Sequence, residues 1–125
     1  MANELKLTLA GTLVNGSLRD RIEPGTLQVT QAVKGAQQQV VTVTSSAAVT
    51  LSSTNITTLG WAFAVNLDAT NWVSLGISSS GLIKFGRVEP GEWACLRLSP
   101  GAVYQALAST TGAASCLLEW RVYND

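Results

Sequence analysis

Residues able to do chemistry are densest in one stretch of this 125-residue chain, VNLDATNWVSLG, at residues 65–76. Asp68, Asn71 and Trp72 are its candidate site residues, because a carboxylate and an amide can hydrogen-bond sugar hydroxyls and an indole ring can carry a sugar on its face. A cation would need more oxygen ligands than one carboxylate and two amides easily supply. The stretch therefore predicts either a glycan contact or a turn.

The turn is the stronger interpretation of these residues. An aspartate can accept a hydrogen bond from a backbone N–H two residues further on, and asparagine tolerates a left-handed φ. We therefore expect Asp68 to be the acceptor, Asn71 to adopt a positive φ, and residues 68–71 to connect two strands as a hairpin. The glycan alternative requires Trp72 to be exposed to solvent.

The rest of the chain has few residues that are suited to general acid–base catalysis. Histidine is absent from the sequence, which removes the most frequent general base and the commonest transition-metal ligand. Glu89 with Glu92, and Asp20 with Glu23, flank Pro-Gly pairs, where acidic residues commonly lie because they are solvated. We expect no catalytic residues, no cofactor and no metal, and so no enzyme.

The charge and composition of the chain limit the classes of partner that it is expected to bind. Eight Lys and Arg balance eight Asp and Glu, and they are dispersed, so no basic stripe is available to neutralise a phosphate backbone. Charged residues are only 13% of the chain, against 46% hydrophobic residues. A neutral surface lacks the self-repulsion that keeps monomers apart. We predict no nucleic-acid partner and tolerance of an assembly.

The spacing of the cysteines and the N-terminal sequence indicate the cellular compartment in which the chain is made. Cys95 and Cys116 match neither a CxxC pair nor a dense disulfide framework, and they are predicted to be buried free thiols. The first residues, MANELKLTLAG, lack the apolar core of a signal peptide, and no apolar run approaches the roughly 20 residues of a membrane span. These patterns predict synthesis in a cytoplasm, without export, and no membrane partner.

Alternation of apolar and polar residues predicts strands throughout the chain, as in ELKLTLAGTL and QVVTVTSS. A sustained helical period is missing. The Ser/Thr-rich segment 45–58 suits an exposed edge strand or a loop at a subunit contact. Further strands are predicted over residues 26–33, 47–51, 60–67, 71–77, 82–88, 92–98, 103–109 and 115–123.

Turn residues separate these strands at short intervals. Three Pro-Gly pairs, at residues 24–25, 90–91 and 100–101, are each predicted to form a type II turn, because proline presets one φ and glycine supplies the positive φ that follows. Many short strands with such spacing indicate a single-domain antiparallel β-sandwich or barrel over residues 1–125, of jelly-roll or immunoglobulin-like type.

The C-terminal half of the chain resembles a family of small proteins encoded by tailed bacteriophages. The resemblance lies in GWAFAVNLDATNWVSLGI, LIKFGRVEPGEWACLRLSPG, YQALA and LLEWRVYND, and it covers residues 59–123. The opening segment NELKLTLAGTLVNGSLRDRIEPGTLQVTQ is similar to N-terminal segments of such proteins. The resemblance carries no catalytic residues.

The resemblance implies a virion structural protein, made in the host bacterial cytoplasm. We expect a capsid cement or decoration protein that stabilises the shell through subunit contacts, with the major capsid protein or other virion proteins as partners. The alternative is a neck, tail or tail-fibre component, with a carbohydrate-binding role in host attachment. We expect a closed homo-oligomer, a trimer, with residues 1–30 as an N-terminal arm or strand exchanged with a neighbouring subunit.

Overall fold

The computed structural model describes residues 5–109 and 115–125. These residues form ten strands, which all pair antiparallel, and include no helix that could cross a membrane. The chain is all-β, as its sequence pattern predicts. The strands are β1 (Leu5–Asn15), β2 (Leu18–Val29), β3 (Ala36–Thr44), β4 (Val49–Thr50), β5 (Leu59–Asn66), β6 (Val73–Ser78), β7 (Leu82–Val88), β8 (Trp93–Arg97), β9 (Tyr104–Ala108) and β10 (Ser115–Asn124).

Contacts divide the chain into two compact units, Met1–Ala32 and Val33–Asp125. In the first unit, β1 and β2 form a two-stranded antiparallel hairpin. Its loop consists of Gly16 and Ser17, and the φ of +58° at Gly16 suits the first central position of a type II′ turn. The predicted arm falls within this unit, and its exchange with a neighbouring subunit stays a prediction.

The type II turn predicted at Pro24-Gly25 does not form, because these residues lie at a β-bulge within β2. The Pro24-Gly25 pair lies inside the strand instead of ending it. Leu9 pairs with Gly25 and Gly11 pairs with Ile22, so β2 has one residue more than β1 between these two pairs. Gly25, which borders the bulge, has a φ of +88°, a left-handed conformation that glycine adopts without strain. Because β2 pairs with β1 on both sides of the bulge, the strand continues through the Pro24-Gly25 pair, which is typical of a turn.

The second unit is an antiparallel β-sandwich. Its two four-stranded sheets have the orders β3-β10-β5-β8 and β4-β9-β6-β7, and buried side chains from both sheets form one core. Each sheet is open, with an edge strand on either side, so the described strands form a sandwich and not a closed barrel. The short β4 is one of these edges, so segment 45–58 contains an edge strand, as predicted. A subunit contact at this segment stays a prediction.

Small residues of β5 and large residues of β10 fill the core together. Trp120, at 2% exposure, pairs with Ala64 in the neighbouring strand, and Val122 pairs with Ala62. The two alanines are fully buried. Because cross-strand partners point to the same side of a sheet, each alanine leaves room for the larger side chain beside it.

The opposite side of the same sheet, which we call the outer face, carries apolar and aromatic side chains away from the core. On β5 these residues alternate with the buried alanines, and they lie beside residues of β8 and β10. An edge-to-face contact joins the Phe63 and Tyr123 rings, whose centroids are 6.0 Å apart. The outer face includes the apolar residues Trp61, Phe63, Val65, Trp93, Leu117 and Tyr123 and the charged residues Glu119 and Arg121.

The two later Pro-Gly pairs form the predicted turns. Glu92 N–H donates to the Glu89 carbonyl at 3.0 Å around Pro90-Gly91, and the φ of Gly91 is +75°. Around Pro100-Gly101 the φ of Gly101 is +80°, and a backbone bond of 3.3 Å closes the turn. Both geometries are those of type II turns.

Candidate functional site

The segment that contains the candidate residues connects two different sheets. β5 pairs with β10 and β8, whereas β6 pairs with β7 and β9, so residues 67–72 cross from one layer of the sandwich to the other. The predicted hairpin is therefore wrong. Asn71 is also not left-handed, because Ser80 is the only non-glycine residue with positive φ in the described part of the chain.

Asn66, the last residue of β5, fixes the start of this connection. Its side chain is completely buried, and its Nδ2 donates to the carbonyls of Asn71 at 2.8 Å and Val88 at 3.0 Å. Its Oδ1 accepts from the backbone N–H of Asp68 at 3.0 Å. One buried amide thus joins the end of β5, the connection and the end of β7, and its hydrogen bonds compensate its loss of water.

Asp68 has the role predicted for it. Its Oδ1 accepts from the backbone N–H groups of Asn71 at 2.7 Å and Thr70 at 2.8 Å, and also from the Thr70 hydroxyl at 3.2 Å. These donors, the Asn71 N–H first, hold the pKa of the Asp68 carboxyl below its ordinary value. The stability that they contribute is present above the unfolded-state pKa and is lost as pH falls through the lowered folded-state pKa.

The Asn71 side chain is engaged within the protein. Its Oδ1 accepts from the Ser109 hydroxyl at 3.2 Å, and its Nδ2 donates to the Thr70 hydroxyl at 3.1 Å. Its backbone carbonyl also accepts a weak 3.8 Å bond from the thiol of Cys116, in addition to the bond from Asn66. A ligand would compete with these bonds for the Asn71 amide.

Trp72 is half-buried, and a cation covers its ring. The guanidinium carbon of Arg87 lies 5.0 Å from the ring centroid, which is a cation–π arrangement. Arg87 also pairs with Glu89, and the Trp72 carbonyl accepts from the Ser109 N–H at 2.9 Å. The structure brings the three candidate residues together, but a sugar stacking on this side of the ring would have to displace Arg87. Glycan contact by Asp68, Asn71 and Trp72 stays a prediction.

The other tryptophans differ in exposure. Trp120 belongs to the core and Trp61 is half-buried, whereas Trp93, in an apolar strand context of the sequence, is 58% exposed on the outer face. The apolar strand context of Trp93 predicts a core or an interface residue, and its exposure excludes the core. The signal for exposure is its position two residues after the Pro90-Gly91 pair, at the start of an edge strand.

The remaining reactive groups are dispersed. Within the two described ranges, no three His, Cys, Asp or Glu side chains are placed to hold a metal ion. Cys95 and Cys116 are free thiols; Cys116 is buried as predicted and Cys95 is half-buried. Burial raises the pKa of both thiols, and the charge of Asp68 adds to this at Cys116.

The predicted carboxylate pairs have structural contacts. Around the Pro90-Gly91 turn, Glu92 Oε2 accepts from the backbone N–H of Glu89 at 2.9 Å. At the bulge of β2, Glu23 forms an ion pair with Arg21, and Asp20 accepts from the Arg21 N–H at 2.8 Å. These contacts stabilise the turn and the bulge.

Replacing Asn66 by alanine is expected to lower the free energy of unfolding by about 2 kcal/mol, because two carbonyls and one N–H lose their partner. Urea denaturation followed by tryptophan fluorescence measures the change. The matched control is Asn55→Ala at an exposed position, where we expect a change within about 0.5 kcal/mol. Equal stability of the two variants would contradict the role assigned to the Asn66 amide.

Comparisons with known proteins yield one short match. The model of the periviscerokinin family matches residues 78–88, which comprise the end of β6, the following turn and β7. This match covers less than a tenth of the chain, so it does not establish a family. No curated protein matches the chain.

Proposed function

We propose that this chain is a structural subunit of a bacteriophage virion, a capsid cement or decoration protein that stabilises the shell through subunit contacts. The observation that carries the proposal is an amphipathic N-terminal hairpin on which five large aliphatic side chains are about half exposed, namely Leu9, Leu13, Leu18, Ile22 and Leu27. A two-stranded hairpin is at best marginally stable alone in water, so such a surface suits a protein that works within an assembly.

The outer face of the sandwich supports the same proposal. It combines the exposed Trp93 and Leu117 with half-buried rings of Phe63 and Tyr123. Exposed aromatic residues are typical anchors of protein interfaces. The central charges on this face, Glu119 and Arg121, neutralise each other in an ion pair. A partner such as the major capsid protein would therefore cover these two charges without leaving either of them unpaired.

The resemblance of residues 59–123 to small phage proteins gives the proposal its virion context. It also fits a neck, tail or tail-fibre component with a carbohydrate-binding role, which remains the alternative location. The two locations differ in copy number. A cement protein is present in numbers comparable to the capsid subunits, whereas a neck or tail component is present in few copies.

Quantitative mass spectrometry of purified particles tests the proposal. We expect the chain in particles of the phage that encodes it, at a copy number that scales with the major capsid protein. Shells lacking the chain should fail at lower temperature or under low-salt treatment sooner than complete shells. Finding the chain only free in lysates would contradict a virion role, and a copy number typical of a tail ring would place it outside the shell.

A further inference from the structure

The turn of the N-terminal hairpin contains Asn15, the one asparagine of the sequence that is followed by glycine. Asn15 is the last residue of β1 and pairs with Leu18, and Gly16 and Ser17 form the turn between them. The residues from Asn15 to Ser17 are exposed to solvent. A Cβ at Gly16 would meet no atom of a non-adjacent described residue within 4 Å. The Asn15 side chain can therefore approach the backbone of Gly16 through open space.

The backbone nitrogen of Gly16 is available as a nucleophile. The bond that closes a β-turn runs from the N–H of its fourth residue to the carbonyl of its first, so the N–H of the second residue is not used. Neither the Gly16 N–H nor the Asn15 side-chain amide has a hydrogen-bond partner among the described residues. Gly16 also has no side chain to shield this nitrogen.

The other asparagines in the described part of the chain differ in these respects. The backbone N–H groups that follow Asn55, Asn66 and Asn124 donate to carbonyls at 2.9, 2.9 and 3.1 Å, respectively. The Asn71 amide is held by bonds to two hydroxyl groups. The residue after each of these four asparagines carries a side chain that shields its nitrogen. Asn15 is thus the asparagine of this set whose amide and following nitrogen are both free.

We propose that Asn15-Gly16 is a site of spontaneous covalent modification, at which the Asn15 amide becomes a carboxylate in the folded protein. The Gly16 nitrogen loses its proton to water or hydroxide, attacks Cγ of Asn15 and closes a five-membered imide ring. The Cγ–Nδ2 bond then breaks, and Nδ2 takes up a proton and leaves as ammonia. The attack is intramolecular, between adjacent residues, so it has the advantage of proximity.

Water opens the imide ring in one of two ways. Attack at Cγ breaks the bond from Cγ to the Gly16 nitrogen and leaves an ordinary aspartyl residue at position 15. Attack at the backbone carbonyl carbon of position 15 breaks its bond to the same nitrogen, so that the backbone runs through Cβ and Cγ as an isoaspartyl link. Either product carries a carboxyl group that is ionised at neutral pH, so the chain gains about one dalton and one negative charge.

The new carboxylate lies on the apolar side of the hairpin. Cross-strand partners point to the same side, so Asn15 shares a side with Leu18, and also with Leu13 two residues earlier in β1. Asp20 pairs with Leu13 and is the diagonal neighbour of Asn15, a position at roughly 7–8 Å in antiparallel pairs. Conversion therefore places a second negative charge near Asp20. An isoaspartyl link also lengthens a turn whose two residues set the register of the hairpin.

Incubation of the full-length purified chain in mildly alkaline buffer, followed by trypsin digestion and mass spectrometry, tests the inference. Trypsin releases residues 7–19, which contain Asn15 alone, and residues 35–84, which contain Asn55, Asn66 and Asn71. We expect peptide 7–19 to gain about one dalton and to separate into an aspartyl and an isoaspartyl species, since either product replaces an amide by a carboxyl group. Peptide 35–84 should keep its mass. A sample digested without incubation gives the baseline.

Gly16→Ala tests the route of attack, because a methyl group beside the nitrogen hinders it. The matched control is Gly11→Ala, which adds a methyl group to β1 at an ordinary contact of 4.0 Å with Ile22. We expect conversion to be several-fold slower in Gly16→Ala and unchanged in Gly11→Ala. Equal conversion of the two variants would overturn the attack by the Gly16 nitrogen.

A parallel incubation in guanidinium chloride separates the effect of the fold from that of the sequence. We expect Asn15 to convert in the native chain at a rate comparable to that in the unfolded chain. An unmodified peptide 7–19 from the native chain would overturn the inference, and conversion in the denaturant alone would show that the fold protects the site. An equal mass gain in peptide 35–84 from the native chain would also overturn it. None of these results affects the virion test, which measures presence in particles.

Discussion

Trp120→Ala is expected to lower the free energy of unfolding by about 3–5 kcal/mol, the largest effect of any single substitution considered for the sandwich. The Trp120 ring is 2% exposed and packs between the two sheets, next to Tyr104 with ring centroids 6.4 Å apart. Alanine would leave a cavity that the fully buried Ala64 beside it cannot fill. Urea denaturation followed by far-UV circular dichroism measures the loss.

Trp93→Ala is the matched control for this substitution. Trp93 belongs to the same sheet but lies on the outer face at 58% exposure, so the expected change in the free energy of unfolding is about 1 kcal/mol or less. The indole Nε1 of Trp120 has no hydrogen-bond partner among the described residues. Trp120→Phe should therefore retain most of the stability that Trp120→Ala loses. Similar losses for Trp120→Ala and Trp93→Ala would contradict the assignment of Trp120 to the core.

The strands of this fold follow from local signals, but their pairing does not. Period-two alternation and glycine turns locate most of the ten strands to within a few residues, because these signals act within a few residues. The sequences RIEPG at residues 21–25 and RVEPG at 87–91 show the limit. Each carries an Arg–Glu ion pair, yet the first forms a bulge inside β2 and the second a type II turn. The difference comes from long pairing with β1, which residue type alone does not encode.

The buried side of β5 illustrates the same limit. Its sequence, LGWAFAVN, alternates large apolar residues with small ones, and the large residues would be expected to face a core. The small residues are buried instead, because Trp120, Leu118 and Val122 of β10 occupy that space from the adjacent strand. The large residues then form the outer face. The apolar outer face of β5 therefore depends on β10 residues that lie 52 to 60 positions later in the sequence.

The sequence predicts those hydrogen bonds of the candidate site that join residues close together in the chain. Asp68 accepts from the next residues of the chain, as its position in LDATN indicates. The buried Asn66 and the Arg87 guanidinium over Trp72 involve contacts 22 and 15 residues away in sequence, so the pattern around Asp68 carries no sign of them. These contacts use the polar groups of the connection to hold two sheets together. The N-terminal hairpin and the outer face carry most of the exposed large apolar side chains among the described residues.

Gly76→Ala is expected to lower the free energy of unfolding by about 2–3 kcal/mol. Gly76 lies in β6, which has β9 on one side and β7 on the other. A Cβ at this position would overlap the carbonyl group of Ile83, whose carbon would be 2.9 Å away, and the side chain of Leu82. A backbone carbonyl cannot rotate aside as a side chain can, so the β6–β7 register near its irregularity at Leu75 would have to shift.

Gly86→Ala in the neighbouring strand shows whether the loss is steric. A Cβ at Gly86 meets no atom within 4 Å, and its φ lies outside the left-handed region, so alanine is expected to raise stability by about 0.5 kcal/mol through the unfolded chain. Both substitutions add one methyl group to a strand of the same sheet, and urea midpoints compare them directly. Opposite signs of the two changes would show that the backbone approach at Gly76 sets the register of β7. A harmless Gly76→Ala would contradict this close approach, and a large loss in Gly86→Ala would show that any added methyl group disturbs this edge of the sheet.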